Sequence, residues 1–151
     1  MTGLTGLTGP TVLLLVSFCA SSSTQDDKEA LEVLEVQYPS STISASIGSS
    51  LRLPCRVFYD EKQCDLLRAA WYQLGSPPEP AEQLSEPGRY GTTVNETQSE
   101  DGRRHRAVLT EILRVTPQDE GAFQCMAECE GGEQVMGHII YVTVGGSRDA
   151  S

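Results

Sequence analysis

Apolar residues recur at every second position in separated stretches of this chain, and a period of two is the signature of half-buried β-strands. Leu51, Leu53, Cys55 and Val57 alternate with more polar neighbours, and Ile140, Val142 and Val144 repeat the pattern near the end. The period therefore predicts strands from Leu51 onward and over 135–144, with further strands over 68–74 and 106–115. Turn chemistry separates them. Gly48 turns the chain before Leu51, and three prolines within 75–80 cannot sit in a paired strand. Asp101-Gly102 suits the positive φ angles of a hairpin after residue 98. Residues 81–84 and 89–94 are shorter candidate strands. Leu31, Leu34 and Glu35 fall at helical spacing, but a polar lead-in over 25–34 followed by an edge strand fits better, because Pro39 forfeits one donor there without breaking a central ladder.

Three fragments lie within these strands: Leu51-Arg52-Leu53-Pro54-Cys55, Trp71-Tyr72-Gln73 and Asp119-Glu120-Gly121-Ala122-Phe123-Gln124-Cys125. Sixteen residues separate Cys55 from Trp71, and 70 separate Cys55 from Cys125. In this order and spacing the fragments resemble the immunoglobulin superfamily over residues 35–145. The resemblance implies an all-β immunoglobulin-like sandwich of two antiparallel sheets, with a Cys55–Cys125 disulfide and Trp71 packed against it. The separation of 70 favours the variable type, which has two additional strands between the third and fourth, the first expected over 81–84. By the same resemblance Val108, Ile112 and Phe123 face the core, and Asp119 pairs with Arg89 unless that arginine is solvated. Phe123 stands where many members carry a tyrosine whose hydroxyl ties down the corner, so that hydrogen bond is lost. The last strand lacks the Gly-x-Gly bulge of antigen-receptor joining segments, which argues against a rearranging receptor.

Residues 1–24 combine the apolar run Val12-Leu13-Leu14-Leu15-Val16 with small residues from Cys19 to Ser23, the layout of a secretory signal peptide. No segment reaches the ~20 apolar residues of a membrane helix. The expected setting is secreted or on the extracellular side of the plasma membrane, with any anchor beyond Ser151. Removing the signal removes Cys19 and leaves Cys55, Cys64, Cys125 and Cys129, an even number that reads as disulfides in an oxidising compartment. The nine-residue step from Cys55 to Cys64 is too long for a zinc knuckle. In a variable-type domain the loop 59–67 and the end of the Cys125 strand emerge together, so Cys64–Cys129 is the expected second bridge, with a free or intermolecular pair as the alternative.

The formal charge of −10 lies entirely outside the first 24 residues and disfavours a nucleic-acid partner. Arg103-Arg104-His105-Arg106 follows Glu100-Asp101 and reads as a partly neutralised, solvated loop. His105 and His138 are the only histidines, and the family pattern puts neither beside a plausible nucleophile, so no catalytic residue, metal or cofactor is expected. Asn95-Glu96-Thr97 is an N-glycosylation acceptor.

Strand alternation sends Tyr72 and Leu74, Gln124 and Met126, and Ile139 and Tyr141 outward from three strands that are neighbours in the variable fold. Such an apolar surface has the composition of an interface core, and the lead-in or the region after residue 81 folding over it is the alternative. Trp71-x-Gln73, Gly88-Arg89 with the sequon at Asn95, and Cys125-Met126-Ala127-Glu128-Cys129 resemble the Ig-beta chains of the B-cell antigen receptor. Those chains carry a partner-linking cysteine where this one has His138, and no paired tyrosine signalling motifs are present. A leukocyte co-receptor resembling the B- and T-lymphocyte attenuator is the second comparison. The resemblance implies a receptor ectodomain that binds a protein ligand, a paired receptor chain or a second copy; the alternative is a secreted ligand or decoy. Transcript sequence past Ser151 separates the two.

Overall fold

The computed structural model describes residues 33–147. The expected signal peptide over 1–24, the lead-in through residue 32 and the tail from residue 148 lie outside the described residues. Ten strands follow in chain order: β1 Leu34–Gln37, β2 Thr42–Ile47, β3 Leu51–Tyr59, β4 Leu66–Leu74, β5 Glu82–Gln83, β6 Tyr90–Gln98, β7 Arg104–Ile112, β8 Gly121–Cys129, β9 Gln134–Met136 and β10 Ile140–Ser147. A 3-10 turn, Pro117–Asp119, precedes β8.

One sheet has the order β1-β3-β7-β6; the other runs β2-β10-β8-β4-β5, with β9 also paired to β8. The two inner faces bury Leu53, Val57, Trp71, Val108, Ile112, Phe123 and Val142 at 2% exposure or less. Each such side chain contributes roughly 1.5–3 kcal/mol on leaving water. Cys55 and Cys125 bridge the sheets with Cα atoms 6.5 Å apart, and Trp71 lies directly opposite Cys125 in the β4–β8 register. This is an immunoglobulin-like β-sandwich.

Pro39 divides the first strand. β1 pairs with β3 in one sheet, residues 38–41 cross over, and β2 then runs parallel to β10 in the other, the single parallel pair between named strands. Of the two additional strands expected, the first is only Glu82–Gln83, paired with Tyr72 and Gln73. Between β5 and β6 the chain makes just one isolated bridge, Pro87 to Tyr90. With Pro87 and Gly88 in that stretch, a paired strand has neither a full set of donors nor the propensity to form. Val94 is consequently 55% exposed, although its partner Val108 is buried.

The Arg103–Arg106 segment, expected as a solvated loop, mostly belongs to β7. Its guanidinium groups find carboxylates on neighbouring strands and loops: Arg106 to Glu96 at 2.8 Å, Arg104 to Glu61 at 3.5 Å, and Arg103 to Asp101 at 3.1 Å and Glu35 at 3.4 Å. The hairpin before it closes as Asp101-Gly102 suggested, with Gly102 at φ +89°. Asp119 is 1% exposed and fully engaged: Thr116 N donates to Oδ2 at 2.8 Å and Arg89 to Oδ1 at 3.2 Å. Burying a carboxylate is tolerable only with such partners.

Candidate docking face

The outer face of the larger sheet is built from β4, β8, β9 and β10. Register places Leu74 beside Ala122, Tyr72 beside Gln124, and Ala70 beside Met126. Met126 in turn faces Met136 on β9, and Tyr141 faces Ala122 from β10. Tyr141 and Met136 are more than half exposed and Ile139 is 41% exposed. Leu74, Gln124 and Met126 are half-buried, with Gln124 Nε2 donating to Gly137 O at 2.7 Å.

Tyr72 departs from the expectation of an exposed outward residue. It lies outside the core cluster, yet it is only 8% exposed. β5 flanks it on one side and β8 on the other, and its hydroxyl lies 3.5 Å from Gln83 Oε1. A tyrosine in a central strand is covered by long neighbours on both sides, so it supports the face rather than presenting a free surface. Met136 takes the exposed position instead, and unbroken alternation assigns it to the interior.

Tyr38 causes that change of parity. Val135 packs against the core and Ile140 is buried, five residues apart, so one extra residue must be accommodated between two inward positions. At that point Tyr38 reaches in from the β1–β2 crossover. Cys125 N donates to its hydroxyl at 3.1 Å, and the hydroxyl donates to His138 O. A phenol oxygen thus replaces one direct rung of the ladder between β8 and the last strand. The ring lies 4.7 Å from Trp71 and 4.4 Å from the His138 ring between centroids, and burial raises the phenol pKa. Gly137 is required here because a Cβ would fall 2.6 Å from Tyr38 Cζ. The signal in the sequence was the odd step from Val135 to Ile140, which simple alternation passes over.

At one end of the face, Cys64 and Cys129 form the second disulfide, both 1% exposed with Cα atoms 5.2 Å apart. The bridge ties loop 60–65 to the end of β8, where Glu130 N also donates to Asp65 O at 2.7 Å. The Asp65 carboxylate beside it holds the Glu130 carboxyl above its ordinary value.

The other sheet presents a different outer surface. The Phe58 ring stacks on His105 at 4.6 Å, with Arg103 and Arg56 at 5.4 and 5.7 Å from the Phe58 centroid. His105 Nδ1 lies 3.3 Å from Thr97 Oγ1, while Nε2 is shielded without a hydrogen-bond partner. Burial first, then the Arg56 charge, lowers the His105 pKa, against a smaller opposing pull from Glu96. Burial pushes the Glu96 carboxyl up, but the Tyr59 hydroxyl and Arg106 outweigh it and leave it below the usual range.

Both shifts have the same sign for folding. A base with a depressed folded pKa loses stability as pH falls through its unfolded value, and an acid with a depressed folded pKa loses it further down, below the ordinary glutamate range. The expected result is a melting temperature that starts to fall near pH 6.5, the ordinary histidine value. In His105→Asn that upper part of the fall should vanish, as followed by thermal melts across pH.

Asn95 is exposed on β6, an edge strand of the sheet opposite the candidate docking face. Among the described residues, no group of three or more His, Cys, Asp or Glu side chains could hold a metal ion, and no helix is long and apolar enough to cross a membrane.

No family model matches the chain, and no curated protein matches it. Among solved structures 1035 chains match. One is a crystal structure of the titin domains Z1Z2 in complex with telethonin, similar at 17% identity with a TM-score of 0.49. The match covers 77% of this chain and 49% of that one, so the chain spans about half the length of that structure. The two pinned sheets, rather than this likeness, make the fold immunoglobulin-like.

Proposed function

We propose that this chain is the extracellular binding domain of an immune cell-surface receptor or of a receptor-associated signalling chain, engaging a protein partner without catalysis. The observation that carries the reading is the contiguous face of Met136, Ile139, Tyr141, Met126 and Leu74, rigidly backed by the Tyr38 insertion and the buried Tyr72. Rotamer-rich methionines beside an amphipathic tyrosine are the composition of interface cores. A backbone already ordered by ladder and disulfide lowers the cost of binding. Two buried disulfides suit an oxidising, extracellular setting, and the resemblance to Ig-beta chains and leukocyte co-receptors supplies the immune context.

Fluorescent multimers of the full chain, applied to leukocytes, test the reading. Met136→Ser combined with Tyr141→Ser should leave secretion and melting temperature unchanged while weakening staining about 30-fold, equivalent to about 2 kcal/mol. Undiminished staining by that well-folded variant would refute the choice of face.

An N-glycan on Asn95 belongs to the same proposal, since it would occupy the opposite sheet and leave the docking face open. Secreted protein should lose mass on treatment with an amidase that removes N-glycans, and Asn95→Gln should abolish the shift. Equal mobility of treated and untreated protein would dispose of this claim.

A further inference from the structure

Charge is divided between the two halves of the sandwich far more unevenly than the total suggests. The segments that build β2, β4, β5, β8, β9, β10 and their turns, residues 38–50, 64–88 and 115–147, hold nine carboxylates and a single basic residue, Arg68. The remaining described segments, 33–37, 51–63 and 89–114, hold eight basic residues and seven carboxylates. Local pairing does not erase the difference. On the balanced half Arg103, Arg104 and Arg106 are each matched by carboxylates of their own half. On the acidic half Asp119 and Glu86 are met by Arg89, which reaches across from β6's approach, and Arg68 stands opposite Glu128. Glu79, Glu82, Glu130 and Glu133 are exposed and have no guanidinium or ammonium within ion-pair distance in the described residues.

Three carboxylates lie beyond one end of the apolar face. Glu128 is two residues beyond Met126 on the same side of β8, and Glu130 and Glu133 lie in the turn from β8 to β9; Glu82, opposite Gln73 in the β4–β5 register, is on the other side of the sheet. At ~3.3 Å per residue along a strand, Glu128 lies ~7 Å beyond Met126, within the ~8 Å screening length at physiological salt, and Glu130 and Glu133 lie ~10–13 Å from Met126 and Met136 at the same end. A face with an apolar centre and three carboxylates at one end, where Arg68 opposite Glu128 is the single cation, favours a basic surface at that end and repels another acidic one.

We infer that the occupant of this face is a different protein that presents lysine or arginine side chains beside an apolar patch. The inference rests on the docking reading of the same face. A second copy related by a two-fold axis running along the strands would set the two acidic ends against each other, which is unfavourable in an isologous contact. Nucleic acid and anionic lipid are disfavoured by the same field.

The test uses a random-peptide phage library selected on the immobilised full-length secreted chain. Recovered peptides should combine Lys or Arg with an apolar or aromatic residue, and their affinity should fall about tenfold or more between ~0.05 and ~0.5 M salt. Glu128→Gln, Glu130→Gln and Glu133→Gln together should weaken them about tenfold, whereas Glu61→Gln, Glu100→Gln and Glu111→Gln on the other half should change little. Met136→Ser with Tyr141→Ser should weaken them about 30-fold. Neutral or acidic peptides that still depend on Met136 and Tyr141 would overturn the charge inference and leave the docking face standing. Basic peptides indifferent to Met136 and Tyr141 would overturn the face itself. Equal losses in both glutamine triples would show attraction to net charge alone and overturn the inference.

Discussion

Replacing Cys55 and Cys125 together by alanine is expected to cost about 4 kcal/mol and to reduce secretion sharply. The bridge closes a loop with a sequence separation of 70, and in the chain-entropy account a loop of that length restricts the unfolded chain by about this much. The sulfurs also belong to the buried cluster that contains Val57, Trp71, Val108 and Phe123, so alanine leaves a void in the core of the described domain. A domain of this size is stable by only about 5–15 kcal/mol, so the loss is a large fraction of the total. Urea unfolding of whatever protein is recovered measures it. A midpoint unchanged from the parent would be incompatible with a sandwich held by this pin. Cys64→Ala with Cys129→Ala removes a bridge of separation 65 at the rim, and unreduced peptide mapping should recover both linkages from the parent.

Gly137→Ala is expected to destabilise the domain by about 2–3 kcal/mol, the scale of overpacking in a filled interior. The added Cβ would meet the Tyr38 ring at 2.6 Å from Cζ, and the ring is held between Trp71 and His138, so it has little room to yield. Tyr38→Phe should cost about 1–3 kcal/mol for a different reason. It strips the partner from Cys125 N and from His138 O in a part-buried ladder, and unmatched backbone groups carry the desolvation penalty. A double-mutant cycle separates the two effects: in a Tyr38→Ala background, Gly137→Ala should cost less than ~0.5 kcal/mol, because the obstacle is gone. Additive losses would mean that the two residues do not meet. Because the insertion also sets the parity of β9, these variants should weaken partner binding along with stability, unlike changes at Tyr141.

Several features were legible along the chain because they are local or pairwise. The alternation in Leu51–Val57 and Ile140–Val144 is a property of neighbouring residues, and it marks which side is buried wherever the ladder is regular. The Cys55, Trp71 and Cys125 spacing carried the sandwich, and the Asp119–Arg89 pair found there by resemblance is present at 3.2 Å. The turn at Gly102 needs only its own backbone freedom.

What escaped sequence reading depends on residues far apart in the chain. Met136 points outward because Tyr38, about a hundred positions away, occupies a rung of the ladder and forces an extra residue into it. No window over 135–144 contains that cause. Tyr72 is buried because β5 and β8 both flank it, and the flanking follows from strand order rather than from its own neighbours. Arg103–Arg106 looks like a charged loop in one dimension, whereas Glu35, Glu61 and Glu96 on adjacent strands and loops turn its charges into pairs. The acidic end of the candidate docking face is likewise invisible in the total charge. Alternation along the strands determined which residues are inside; the pairing of strands decided which of the outward residues share one face, and with what charge around them.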